Sequence, residues 1–167
     1  MNRVKYLKEK LSLLDHPEGG YYKEIYRSKG IIPNNAIPEF NGNRNYCTSI
    51  YFLLTSDNFS AFHRIKQDEI WNFYEGDSLE VHVIHPTGIY ECLRLGLDFE
   101  SGETPQAVVP AGSWFASTVK KGGAYSLVGC TVAPGFDFED FELGGRKFLT
   151  NLFPVHKEII KTLTKLP

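Results

Sequence analysis

The chain has 167 residues, 42% of them apolar and 14% aromatic, the make-up of one folded domain with a sizeable core. Eighteen basic and 20 acidic residues leave a formal charge of -2 without any basic run, which excludes phosphate-backbone recognition and points to a small-molecule partner. No window approaches the ~18 consecutive apolar residues of a membrane span. The charged opening stretch lacks the apolar centre of a secretory signal, so a cytoplasmic protein with no membrane partner is expected.

Val4, Leu7, Leu11 and Leu14 recur at intervals of three and four, which predicts an amphipathic helix ended by Asp15-His16-Pro17. The pair Gly19-Gly20 then releases the chain into an aromatic-rich strand, Tyr21–Ser28. His16-Pro17-Glu18-Gly19-Gly20 is read as a solvated turn, with Glu18 reaching a pocket, its own or a partner's, as the alternative. Ile31 to Arg44 carries Asn, Pro and Gly without any period and is expected to be a long loop. Tyr46–Thr55 is an unbroken run of strand formers, suited to a central strand.

The most informative stretch is Ser60 to Gly76. It reads as a hairpin: a strand with His63, a turn through Lys66-Gln67-Asp68, and a return strand with Glu69, Trp71 and Phe73. Alternation puts Ala61, His63 and Ile65 on one face and Glu69, Trp71 and Phe73 on one face of the partner. An imidazole and a carboxyl in an aromatic hollow can tune each other's proton affinity, which is what acid–base chemistry or metal binding requires.

Short strands follow at Leu79–His85, Ile89–Leu95, Gln106–Val109, Ser113–Val119 and Tyr125–Val132, with Gly and Pro in the turns between them. That spacing argues for an antiparallel sandwich or barrel. Phe136, Phe138 and Phe141 alternate with acids in an extended arm whose Asp137 is placed to close over the barrel mouth. Pro154 opens a last helix carrying Val155, Ile159 and Leu163. Cys47, Cys92 and Cys130 have no CxxC spacing and read as buried free thiols, which excludes a disulfide scaffold and a structural zinc site.

The hairpin resembles the first cupin motif, G-x5-H-x-H-x3,4-E-x6-G: His63, Glu69 and Gly76 match, whereas Ile65 stands at the second histidine and Asp57 at the leading glycine. Pro110-Ala111-Gly112 matches the start of the second motif, with Phe115 at its histidine and Val119 at its asparagine. His16–Tyr21, Phe62–Arg64, Asp68–Trp71, Pro110–Trp114 and Gly129–Phe138 together are similar to one cupin subfamily that carries a domain-of-unknown-function label. The resemblance implies an all-β cupin fold, a double-stranded β-helix (jelly-roll barrel) with helices flanking it at both ends, over a single domain 1–167. It also implies a homodimer, for which Tyr21–Ser28 is a suitable edge.

The subfamily is structurally similar to keto-sugar epimerases. By that analogy His63 is the base, Glu69 its orienting partner, and a tyrosine the acid; Tyr46, Tyr51, Tyr74 and Tyr125 are available, with Tyr125 taken as the candidate. Tyr51, Trp71, Phe73, Gln106, Phe115 and Asp137 are the expected ligand-binding residues, for a small sugar-like or nucleotide-like ligand. Trp114 and Phe115 point to opposite faces, and the motif puts Phe115 inward. No cofactor is expected. Only His63 and Glu69 remain of the cupin metal ligands, and two donors fall short of the three that catalytic metal sites supply. A non-catalytic binding or sensing module is the alternative, and a metal-dependent dioxygenase or lyase the third reading.

Overall fold

A computed structural model describes residues 2–166. Helix α1 spans Arg3–Lys10; the Asn2 side chain caps it by accepting from the Lys5 N–H at 3.3 Å. The apolar period continues to Leu14, yet the helix stops earlier. Ser12 takes a left-handed φ of 53°, and the Leu13 N–H donates back to the Lys8 carbonyl at 3.0 Å, a Schellman-type end. Leu14–Asp15 becomes strand β1 instead.

The remaining strands are β2 (Tyr21–Arg27), β3 (Ile31–Ile32), β4 (Arg44–Asn45), β5 (Thr48–Thr55), β6 (Ser60–Arg64), β7 (Asp68–Gly76), β8 (Leu79–Ile84), β9 (Tyr90–Leu95), β10 (Gln106–Val109), β11 (Trp114–Val119), β12 (Tyr125–Ala133) and β13 (Glu142–Leu143). They form a six-stranded sheet ordered β1-β2-β5-β12-β7-β10 and a five-stranded sheet ordered β13-β6-β11-β8-β9, with a small β3-β4 ribbon. All the named strand pairs are antiparallel, as a jelly roll requires.

One expectation is corrected here, with consequences for the site. β6 and β7 do not form a hairpin. β6 lies between β11 and β13, whereas β7 lies between β12 and β10 in the other sheet. The intervening residues form the corner between the sheets. Gln67 there is 3% exposed and donates to Asp140 Oδ2 at 2.8 Å, which ties the corner to the C-terminal arm. His63 and Glu69 therefore approach from opposite sheets rather than as cross-strand neighbours.

Strands apolar on both faces explain three core layers. Phe52, Leu54, Ile65, Trp71, Val83, Phe115 and Val128 pack between the sheets. Phe62, Ile84 and Trp114 face outward under α2 (Arg146–Leu152) and α3 (Lys157–Thr162), against Leu149, Ile160 and Leu163. Leu53 and Leu127 pack outward with Leu7 and Leu13. The expected split of Trp114 and Phe115 is thus observed. α2 is an addition, too short to show a period, and Pro154–His156 forms a 3-10 turn before α3.

The segment expected to be a long loop is partly ordered as the β3-β4 ribbon. Arg44, 4% exposed, donates from Nε and Nη2 to Asp140 at 2.8 Å each, and from Nη1 to the carbonyls of Asn41 and Asn43 at 2.9 Å. That buried pair fastens the ribbon to the arm containing Phe136, Phe138 and Phe141.

Candidate functional site

The inner face of the six-stranded sheet, closed over by β6 and the arm, encloses a cavity of about 450 Å³. Its walls are mostly aromatic and aliphatic: Tyr22, Ile50, Phe52, Ile65, Trp71, Val132, Phe136, Phe138 and Phe141. Its polar groups are His16, Glu18, Glu24, Arg27, Thr48, His63, Glu69, Cys130 and Asp137.

His63 is 3% exposed and engaged at both ring nitrogens. Nδ1 lies 2.7 Å from the Ala61 carbonyl oxygen, which can only accept, so Nδ1 carries the proton. Nε2 lies 3.0 Å from Glu18 Oε2. One proton must sit between those two atoms. Burial opposes charge on both groups: it lowers the His63 pKa to about 4 and raises that of Glu18. The neutral arrangement, with the Glu18 carboxyl donating to Nε2, is the favoured form.

Glu18 reaches the imidazole because its turn is folded inward. The Ala61 N–H donates to the Glu18 carbonyl at 2.9 Å, stitching the turn to β6, and Ser60 Oγ donates to Glu18 Oε1 at 2.7 Å. Gly19 has φ +119°, and a Cβ there would overlap the Phe59 carbonyl oxygen, so the turn needs glycine at that place. His16 also faces the cavity; its Nδ1 accepts from the Glu18 N–H at 3.3 Å, and burial lowers its pKa.

Glu69 lies across the hollow, 8% exposed, and its carboxyl makes no ion pair or hydrogen bond within ordinary geometry among the described residues. Burial chiefly raises its pKa to about 8, and Glu18 adds to the rise whenever that carboxyl is ionised. The Cys130 thiol and the Trp71 indole pull the other way, too weakly to offset them. At neutral pH Glu69 is mostly a carboxylic acid. Cys130 does have a titratable neighbour, but burial and that carboxyl push its thiol well up, so it is no nucleophile.

Of the sequence-predicted site residues, His63, Glu69, Trp71 and Asp137 line the cavity. The expected pairing is corrected: the carboxyl bonded to His63 belongs to Glu18, and neither Glu69 nor Asp137 fills that role. Asp137 Oδ1 instead accepts from the Glu139 N–H at 2.9 Å. Phe115 packs behind the imidazole, ring centroids 4.1 Å apart, without lining the hollow.

Tyr51 and Tyr125 pack in the outer layer beside Leu53 and Leu127, because alternation along β5 and β12 turns them away from the cavity. Tyr125 donates to Glu75 Oε1 at 2.7 Å. Phe73 packs against the inner core without reaching the cavity. Gln106 is exposed on β10 and donates to Asn72 Oδ1 at 2.8 Å. Sequence reasoning left out His16 and gave Glu18 a pocket only as the alternative to a solvated turn; the structure takes that alternative, and the paired glycines were its signal.

The donor set does not fit the cupin metal pattern. Ile65 and Phe115 carry no donor atom, and both nitrogens of His63 already have partners. Among the described residues no group of three or more His, Cys, Asp or Glu is disposed to hold an ion. Nor is any described helix long and apolar enough to cross a membrane.

Comparison with known proteins agrees with this architecture. A family profile described as "Cupin superfamily (DUF985)" matches residues 5–144. The uncharacterized protein YML079W of Saccharomyces cerevisiae is 35% identical over 138 residues, covering 77% of this chain and 68% of that one. A hypothetical protein from Leishmania major superposes with a TM-score of 0.90 at 38% identity, over 98% of this chain and 99% of that one. Protein SO0799 from Shewanella oneidensis gives 0.88 at 39% identity, over 100% and 99%.

Proposed function

This chain belongs to the DUF985 family of the cupin superfamily, and on that premise we propose that its barrel is a metal-independent acid–base site. The reading is an isomerase or epimerase acting beside a carbonyl of a small, sugar-like or nucleotide-like ligand. One observation carries it: two carboxyls in one cavity have unlike surroundings. Glu18 shares a proton with His63, while Glu69 stands unpartnered and protonated near neutrality. Groups whose surroundings make them so different are suited to opposite roles in proton transfer.

When the Glu18 carboxyl hands its proton to His63 Nε2, the carboxylate left behind is the base that takes the proton next to the carbonyl, and the positive charge stays on the imidazolium. Glu69, in place of the tyrosine expected by analogy, is the acid that returns one. Phe115 and the Ala61 carbonyl fix the imidazole plane. Solvent deuterium entering the α-carbon of keto-sugar probes, and absent with His63→Asn and with Glu69→Gln, is the expected result. No exchange in any probe would refute it.

A second reading, a binding module without turnover, is favoured by the occupation of both His63 ring nitrogens inside the protein. Ligand binding without exchange would support that one. Either way we propose a homodimer, because β1 covers β2 only at Tyr21 and Tyr22 and leaves Ile25 and Tyr26 exposed along an open edge. Sedimentation at micromolar concentration tests it, and a monomer there would contradict it.

A further inference from the structure

The charges around the cavity narrow what can enter it. Among the described residues four carboxyl side chains line it, namely Glu18, Glu24, Glu69 and Asp137, against a single fixed cation, Arg27. Arg27 is already used. Its Nε and Nη2 donate to Glu24 at 2.9 and 2.8 Å, and its Nη1 donates to Asn45 Oδ1 at 2.9 Å. His16 and His63 are held neutral by burial. Lys165 acts on His16 and Glu18 from outside the lining, with its ammonium donating to the Pro17 carbonyl. A phosphate or carboxylate entering here therefore meets no uncompensated positive charge among the described lining residues, and burying an anion without a partner is costly.

The opposite charge is well served. Glu69 is a buried carboxyl without a partner, facing the cavity. Trp71, Phe138 and Phe141 line the same space, and aromatic walls attract cations. We propose that the cavity takes a small organic cation, an amine or quaternary ammonium compound, with its charged nitrogen against Glu69 and its flanks against the aromatic walls. This rests on the cavity being the ligand site, narrows the ligand class to an amino-bearing rather than a phosphorylated compound, and favours the binding reading above, since a Glu69 ionised by the bound cation no longer serves as the acid.

Binding also has a proton signature. Glu69 is faced by Glu18, Cys130 and Trp71, with His16, His63, Glu24, Arg27 and Asp137 around the same cavity. A cation beside it stabilises its anion, so binding below pH 8 releases a proton and binding well above does not.

Calorimetric titration of the full chain with benzylammonium, benzyl alcohol and benzoate, in buffers of different ionisation heat, tests the proposal. Benzylammonium should bind about tenfold tighter than benzyl alcohol, with benzoate weakest and proton release below pH 8. Glu69→Gln should erase the preference, and Asp137→Asn at the mouth should reduce it without abolishing it. If Glu69→Gln fails to fold, Asp137→Asn and the proton release decide. Equal or reversed preference in the wild type, or no benzylammonium binding at millimolar concentration, would overturn it. Cation preference without α-carbon exchange would instead remove the isomerase reading and leave this one standing.

Discussion

Replacing Asp140 by leucine strips the partner from a guanidinium that has nowhere else to discharge. The Arg44 and Asp140 side chains are 3% and 0% exposed, joined by two 2.8 Å hydrogen bonds, and Gln67 adds a third to the same carboxylate. Glu139, the other nearby acid, is 3.8 Å away and 62% exposed, too solvated to take over. Breaking one half of a buried pair costs about 3–5 kcal/mol. In a domain of this size, each kcal/mol moves the melting temperature by about 2–4 °C, so a drop of about 10 °C is expected. The double variant Arg44→Met with Asp140→Leu removes both charges and should recover at least half of that loss. Thermal melts of the wild type, both single variants and the double variant close the cycle. Additive losses, or a single-variant cost under about 1 kcal/mol, would refute the reasoning. Because the pair fastens the arm that supplies Phe136, Phe138 and Phe141, the single variants should also weaken binding in the cavity.

Stability should depend on pH in an uncommon direction. Glu69 titrates near 8 folded and 4.5 unfolded, so its contribution is full below 4.5 and lost as the pH rises to 8; His63, held down to about 4 from 6.5, contributes increasingly between 4 and 6.5. The slopes oppose up to 6.5, after which a decline of about 2 kcal/mol by pH 8 from Glu69 should appear in denaturant titrations and be lost from the profile in Glu69→Gln, leaving only what Glu18, also raised by burial, adds in the same direction. Gly19→Ala, which places a Cβ against the Phe59 carbonyl at φ +119°, should cost about 3 kcal/mol and loosen Glu18 from His63, read by chemical denaturation and by a rise in the imidazole pKa. Tyr125→Phe should lose only the bond to Glu75, about 1 kcal/mol, and leave cavity binding unchanged; a loss of binding would bring that tyrosine back to the site.

Much of the fold was legible because its signals are local. Gly and Pro punctuation located each of the five short strands from Leu79 to Ala133 within about two residues, and alternation separated Trp114 from Phe115. The site was less legible because its key contact is long-range. Whether Glu18 points to water or to His63 depends on a turn whose positive φ values, at Gly19 and Gly20, are permitted by glycine and fixed only by packing on Phe59 and Phe52. The faces of β7 were hard to read for a related reason. Its pairing with β12 skips Tyr74, Leu127 opposing Glu75 and Val128 opposing Phe73, so the inward alternation of Trp71 and Phe73 gives way to an outward Glu75 that bonds the outward Tyr125. The β6–β7 corner defeated local reading too, since a polar Lys-Gln-Asp turn fits a hairpin and a sheet crossing equally well.

The central claim is that a neutral, unpartnered carboxyl faces an imidazole–carboxyl pair inside one buried hollow. Carbon-13 and nitrogen-15 NMR titration of the wild type tests it directly. The Glu69 carboxyl carbon should titrate near pH 8, while His63 stays neutral, with its proton on Nδ1, down to about pH 4. A Glu69 carboxyl titrating in the ordinary range near 4.5, or a His63 ring protonating near 6.5, would contradict it.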